Sequence, residues 1–182
     1  METTSFYTEQ ELATLGLKSY GCNVLISRNA KFYSPITISI GNNVRIDDFC
    51  ILSGNIIIKN NIHIAAYCAL YGGGNIIMDD NSGLSPRCTL LSATDDFSGE
   101  YMVGACVEMK YRNVIKGTIS IGKYAQVGAG SLVMPNVEVG EGVAVGAMSF
   151  VNCNLPEWSV CYGVPARKIR DRERTLLQFL KQ

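Results

Sequence analysis

Aliphatic side chains recur along this chain with a period of six. From Ile121 they fall at Val127, Val133, Val139, Val145 and Val151. An earlier series runs Ile40, Ile46, Leu52, Ile58, Ile64 and Leu70, and it resumes after a two-residue insertion at Gly72-Gly73-Gly74 with Met78, Leu84 and Leu90. Small residues follow four positions after many of these, as at Ala125, Ser131 and Ser149, and glycines take the next place along at Gly122, Gly128, Gly140 and Gly146. A spacing of six fits neither a 3.6-residue helix nor a period-two strand. It fits a short strand and a bend, repeated, so that three units of about 18 residues close one triangular coil. Cys50, Cys68 and Cys88 stand 18 and 20 residues apart, each four after an aliphatic corner, and so predict one inward ladder of thiols. Asn42-Asn43, Asn60-Asn61 and Asp79-Asp80 fall where the chain must bend sharply, and such residues tolerate left-handed backbone. Gly72-Gly73-Gly74 reads as a widened bend, because it lacks the lysine and following helix of a phosphate loop. Between Leu90 and Ile121 the repeat lapses, which makes residues 95–118 a long excursion from the scaffold.

The ends of the chain read differently. Thr8-Glu9-Gln10-Glu11 is a capping box and predicts a short helix through about Leu17, plugging one end of the prism. Leu176, Leu177, Phe179 and Leu180 give the last dozen residues an amphipathic helical pattern, with Pro156 and Pro165 marking the exit from the coils. The reading is one domain over 1–182: an N-terminal helical cap at 1–23, the β-solenoid at 24–170 and a C-terminal helix at 171–182.

Composition narrows the function. Lys plus Arg number 16 and so do Asp plus Glu, in 182 residues. That balance argues against a general nucleic-acid binder and a polybasic membrane anchor. No apolar run approaches the ~20 residues of a membrane span. Met1-Glu2-Thr3-Thr4 has neither the basic nor the apolar stretch of a secretory signal, so a cytoplasmic location is expected. Seven cysteines, an odd count with no Cys-x-x-Cys pair, fit neither a disulfide framework nor a four-cysteine zinc site. With His63 as the single histidine, three imidazoles cannot meet a zinc within one subunit, and no metal is expected.

The six-residue coil resembles the hexapeptide-repeat, left-handed parallel β-helix acyltransferases over roughly residues 24–170. The resemblance implies a left-handed winding, a homotrimer, and acetyl-CoA lying in the groove between two prisms. The run Gly163-Val164-Pro165-Ala166-Arg167-Lys168-Ile169-Arg170 is similar to the segment that ends such helices. There Arg167 and Arg170 would meet the nucleotide phosphates, which suits the fixed guanidinium fork. By the same resemblance Ala129, Ala147, Asn152 and Cys153 fall where pantetheine and adenine contacts occur. The family often has a hydroxyl residue and a lysine where this chain has Asn152-Cys153.

The acceptor end departs further. Sugar O-acetyltransferases of this kind carry a loop histidine at the position reached here by Asp95. Two routes are therefore open. Asp95 or Asp96 could orient an amine, which attacks a thioester without a strong base because a group of pKa ~8 is about a tenth neutral at pH 7. Alternatively His63 is the base for a hydroxyl, which must lose its proton as it attacks. His63 lies on a different face from Asp95, so a pair between them would form across a trimer cleft, with the partner subunit's Asp95 fixing the imidazole. Glu100, Tyr101, Glu108, Lys110, Tyr111 and Arg112 could line the acceptor pocket. The leading expectation is an acetyl-CoA-dependent acetyltransferase acting on the amino group of a sugar, nucleotide-linked or of a surface polysaccharide. A sugar O-acetyltransferase using His63 and a non-catalytic binding trimer are the alternatives.

Overall fold

The computed structural model describes residues 5–181. The first four residues and Gln182, which the sequence assigns to the two end caps, lie outside that range, as do the side chains of Leu180 and Lys181. The chain winds into a three-sided solenoid. Its first face stacks seven parallel strands, Leu25–Ile26, Val44–Ile46, Ile62–Ile64, Gly83–Leu84, Gln126–Val127, Ala144–Val145 and Ser159–Gly163. The second face begins at Lys31–Tyr33 and ends at Phe150–Val151, and the third runs from Ile38–Ile40 to Glu138–Val139. Two long strands, Ile51–Ile58 and Ala69–Met78, pass around the corner between the second and third faces. The two-residue insertion at the triple glycine is absorbed there, where the register moves from Gly54 opposite Gly72 to Ile56 opposite Ile76.

The period of six is the inward column of each face. Ile46, Ile64, Leu84 and Val127 are register partners, as are Leu52, Leu70, Leu90 and Val133. All are at most 2% exposed, and Cys50, Cys68 and Cys88 are fully buried beside them. Many corners turn three residues before the aliphatic, on a residue held in left-handed backbone. Asn43 and Asn61 behave as the sequence predicts, with φ of 53° and 58°, and Asn136 and Gly142, which the sequence reading did not name, do the same at 60° and 65°. In the coil after the insertion the left-handed residue is Asn81, one beyond the Asp79-Asp80 pair. The corner leading into the second face is less expected, because Phe49, Tyr67, Arg87 and Met148 adopt φ of 58° to 63° there. Such a conformation costs a bulky residue roughly 1–2 kcal/mol. Stacking between the Phe49 and Tyr67 rings, whose centroids lie 5.0 Å apart, offsets part of it.

The ends differ from expectation in form. At the N-terminus the Thr8 hydroxyl caps an α-helix of one turn, Glu9–Leu12, which tightens to a 3₁₀ turn over Ala13–Leu15 and stops at Gly16, short of Leu17. Leu12 seals the core, and Arg28 holds the turn by a bidentate pair to Glu11 at 2.7 Å. At the C-terminus the amphipathic α-helix expected from residue 171 does not form. Ala166–Asp171 instead returns antiparallel along Ser159–Gly163 and covers the last open strand edge, and only Thr175–Lys181 is helical, as a 3₁₀ run. An uncovered strand edge invites association, whereas the apolar spacing of the last residues yields only half-buried Leu176 and Leu177 and an exposed Phe179. The excursion is anchored by a short antiparallel pair, Ala93–Asp95 with Val114–Lys116, so the irregular loop is 96–113.

Ser82 points into the interior, and its hydroxyl is buried without a hydrogen-bond partner among the described residues. A buried unpaired hydroxyl costs about 1–3 kcal/mol. Ser82→Ala is accordingly expected to raise stability by about 1 kcal/mol. Leu70→Ala, which empties a fully buried site, is expected to lower it by about 2–5 kcal/mol. Chemical denaturation followed by circular dichroism reads both; a loss of stability in Ser82→Ala would contradict the packing described.

Candidate active site

The corner between the first and second faces forms a shallow trough. Successive coils place Ala66-Tyr67, Pro86-Arg87, Ala129-Gly130 and Ala147-Met148 one above another, joined by Arg87 N–H to Ala66 O, Gly130 N–H to Pro86 O and Met148 N–H to Ala129 O at 2.8–3.0 Å. These residues line an apolar depression of about 450 Å³. Small side chains at Ala66, Ala129 and Ala147 leave it open. The coils stack closely here, since a Cβ on Gly128 would sit 2.5 Å from the Ala147 nitrogen. Ala129 and Ala147, 18 residues apart in sequence, are thus neighbours along one line.

Beyond Ala147 the line reaches the terminal hairpin. Gly146 rests on Tyr162, which faces Arg167 across the hairpin. The register slips by one residue between Val160 and Cys161, so Arg170 faces Val160 and Arg167 faces Tyr162. Val160 and Tyr162 alternate with the buried Cys161, so both arginines stand on the outward side. The Arg167 guanidinium donates to Ala166 O at 2.7 Å and lies 3.6 Å from the Cys153 sulfur. Arg170 donates to Asp171 O at 3.1 Å. Arg167, Arg170, Asn152 and Cys153 are all exposed. The structure therefore brings Cys153 to Arg167, with Asn152 exposed next to Cys153.

At its other end the trough opens into a second depression of about 420 Å³, with which it shares Ala66 and Pro86. Polar groups converge there: His63 and Asp47, Ser85 and Gln126. His63 points outward from the first face, and its Nε2 lies 2.7 Å from Asp47 Oδ2. The other oxygen of Asp47 accepts from Arg45 Nε at 2.7 Å, and the Arg45 guanidinium lies over the Phe6 ring, 5.2 Å from its centroid. Burial pushes the Asp47 carboxyl up, but the hydrogen bonds from Arg45 and His63 outweigh it and hold the group below the usual carboxylate range. Asp47 and Ser85 were not singled out by the sequence reading. The signal for Asp47 was the coil length: residues 16 apart are diagonal neighbours when a coil is 18 residues long.

The excursion holds its own carboxylates. Asp95 Oδ1 accepts from Arg112 Nη2 at 2.7 Å and Nε at 3.2 Å, and Oδ2 accepts from the Gly104 N–H at 3.0 Å. Arg112, and next the Gly104 amide, hold the Asp95 carboxyl below the usual range. Asp96 accepts from Ser98 N–H and Asn113 Nδ2, each at 2.8 Å, and is lowered first by Ser98. Both aspartates fasten the neck of the loop. Glu100 and Tyr101 lie exposed at its tip, with the Glu100 N–H donating to Ser98 Oγ at 3.2 Å. Within one chain His63 is partnered by Asp47 and not by Asp95.

Comparison with known proteins agrees with this architecture. The family model for the bacterial transferase hexapeptide (six repeats) matches residues 118–153. A dTDP-4-amino-4,6-dideoxy-D-glucose acyltransferase of Escherichia coli is 42% identical over 178 residues, 96% of this chain and 93% of that protein. A variant of AntD, an N-acyltransferase from Bacillus cereus solved with dTDP and coenzyme A, superposes with a TM-score of 0.96 at 48% identity, covering 98% of this chain and 97% of its own. The acetyltransferase domain of PglB from Neisseria gonorrhoeae, solved with acetyl coenzyme A, shares the fold at a TM-score of 0.62 and 20% identity over 80% of this chain and 57% of its own. The chain belongs to the hexapeptide-repeat acyltransferases, whose prism is a left-handed parallel β-helix. It is an acyltransferase.

Because the Asp95 carboxyl is depressed relative to its unfolded value, the anchoring is complete above about pH 4 and is lost only as the pH falls through the folded value. At pH 7 hydrogen exchange is expected to show a protected Gly104 amide in the wild-type chain and an unprotected one in Arg112→Ala. Equal protection in both would contradict the role given to this pair.

Proposed function

We propose that this chain transfers an acyl group, acetyl in the simplest case, from acyl-CoA to the amino group of a nucleotide-linked sugar, in the cytoplasm and as a homotrimer. The observation that carries the reading is the unbroken line from Arg167 to Ser85. Arg167 and Arg170, outward on the hairpin, suit the phosphates of CoA. The pantetheine arm then runs over Ala147 and Ala129, with Cys153 and Asn152 beside the nucleotide end. From Ala147 to Ala66 is three coil steps, about 14 Å at the ~4.8 Å spacing of paired strands. That brings the thioester to Pro86 and Ala66, at the mouth of the polar depression.

The acceptor class follows from the relatives. The Escherichia coli protein is named for a dTDP-4-amino sugar, and AntD has been solved with dTDP-4-amino-4,6-dideoxyglucose and coenzyme A, and with dTDP and 3-hydroxybutyryl-CoA. Structures of AntD carry substitutions at a serine and at an aspartate ten positions further on, and Ser85 and Asp95 stand at that same separation here. An amine is also what this site is built for, since the loop position that holds a histidine in sugar O-acetyltransferases is Asp95. Hydroxyl transfer and a purely structural trimer are not favoured by these relatives. In the trimer the partner subunit's Asp95 loop, with Asp96, Glu100 and Tyr101, closes over the acceptor sugar. Half-exposed apolar side chains along the second face, Ile51, Leu132 and Phe150, leave a surface suited to such contact.

Incubation with acetyl-CoA and dTDP-4-amino-4,6-dideoxyglucose is expected to release free CoA thiol and to add one acetyl group to the sugar nucleotide. Arg167→Ala and Arg170→Ala are each expected to raise the KM for acyl-CoA about 10-fold or more while leaving kcat nearly intact, as loss of a hydrogen bond to a charged group predicts. Light scattering should give three times the 19.8 kDa chain mass. No thiol release, or arginine variants with unchanged KM, would overturn the reading.

A further inference from the structure

The outward column of the first face runs Arg45, His63, Gly83, Gln126 and Ala144, each the register partner of the next. Gly83 interrupts this column of side chains. Its backbone is ordinary strand, with no left-handed φ to demand a glycine. Room demands it instead. A Cβ there would lie 2.6 Å from Gln126 Oε1 and 3.3 Å from Gln126 Cδ and Nε2. A glycine inside a strand marks such a close approach. The Gln126 carboxamide is thus folded back over Gly83, and Gly83 is buried beneath it. Gln126 as a residue is exposed, so packing does not hold it there. Its Nε2 donates to Asn81 O at 3.2 Å, and this bond fixes the folded-back position. The carboxamide is therefore one wall of the depression that the trough opens into at Ala66 and Pro86.

We propose that Gln126 limits the length of the acyl group this enzyme accepts, with its carboxamide over Gly83 as the stop. The inference rests on the donor line of the functional reading above, which ends with the thioester at Pro86 and Ala66. The depression is the space that continues from that point, so the acyl chain runs along the first face toward Gly83. From Ser85 back to Gly83 is two strand residues, about 7 Å at ~3.3 Å per residue. An acetyl group adds only a carbonyl and a methyl carbon to the sulfur and ends short of Gly83. A butyryl or 3-hydroxybutyryl chain is longer by a further pair of carbons and runs into the carboxamide. The Gln126 side chain puts more atoms over Gly83 than that extra pair, so its removal opens enough room for the longer chain. Each methylene that a filled pocket turns away is worth roughly 10–200-fold in discrimination. Gly83 and Asn81 act through Gln126, the first by leaving room for the carboxamide and the second by tethering it.

The ratio of kcat/KM for butyryl-CoA to that for acetyl-CoA tests this, with dTDP-4-amino-4,6-dideoxyglucose as the acceptor. In the wild-type chain acetyl-CoA is expected to be the better donor by about 10-fold or more. Gln126→Ala is expected to raise the butyryl-to-acetyl ratio about 10-fold or more, and 3-hydroxybutyryl-CoA should gain in parallel. Gln126→Glu keeps the bulk but loses the N–H that Asn81 O accepts, so its side chain should leave Gly83 and the ratio should rise there too. A thermal shift with coenzyme A is expected in both variants, which shows that the fold and the donor line persist. A wild-type chain that takes butyryl-CoA as readily as acetyl-CoA, or a Gln126→Ala ratio equal to the wild-type one, would overturn the proposal and leave the functional reading standing. A Gln126→Glu ratio at the wild-type value would overturn the role given to the Asn81 tether. A wild-type chain that acetylates no amino sugar would overturn the functional reading and this proposal with it.

Discussion

The fold depends on one constraint, that each coil closes on itself in the same number of steps as its neighbours. Ile46 can lie on Ile64, and Leu52 on Leu70, only because the chain makes three equal sides between them. Burying each such aliphatic side chain is worth about 1.5–3 kcal/mol. A one-residue slip would turn the inward set outward. On the first and second faces the corners meet that demand with left-handed residues three places ahead of the aliphatic, as at Asn43, Phe49, Asn61 and Tyr67. Where the count is broken, at the triple glycine and at the excursion, the register recovers before the next inward residue. Gly54 faces Gly72 and Ile56 faces Ile76, and Leu90 meets Val133 across 43 residues of chain.

The same constraint makes the candidate site. Residues far apart in sequence become a line because they occupy equivalent places in successive coils. Ala66, Pro86, Ala129 and Ala147 form the floor of a trough without any element devoted to it. Its polar ends arise where the repeat is decorated or stopped: the His63–Asp47 pair at one end, and the hairpin arginines at the other. The hairpin serves twice, covering the last strand edge and presenting Arg167 and Arg170 on one side through a one-residue slip in register. In the proposed binding mode the thioester donor runs along these stacked corners, and the spacing of coils sets where its reacting end falls.

How much of this was legible in the sequence follows from which interactions are periodic. The inward columns, the cysteine ladder and the asparagine corners all repeat, and they were readable from spacing. Ala129 and Ala147 came from the family likeness, and the structure places them side by side. Phe49, Tyr67, Arg87 and Met148 were not readable as left-handed corners, because local preference there points to Asn and Gly and the stacking that offsets the strain is between coils. The terminal hairpin was missed because an apolar spacing typical of a helix lost to the need to cover an edge. Asp47 was overlooked though its diagonal relation to His63 followed from the coil length. The role of Asp95 as a staple for its own loop needed Arg112 and Gly104, which no repeat locates.

The central claim is that one line of stacked corners holds the acyl donor from the hairpin to the His63 depression. Diffraction from crystals grown with coenzyme A and dTDP tests it most directly. The account predicts the CoA phosphates at Arg167 and Arg170 and its sulfur at the junction of Ala66, Pro86 and Ser85. Coenzyme A bound along another edge of the prism, or with its sulfur far from His63, would contradict it.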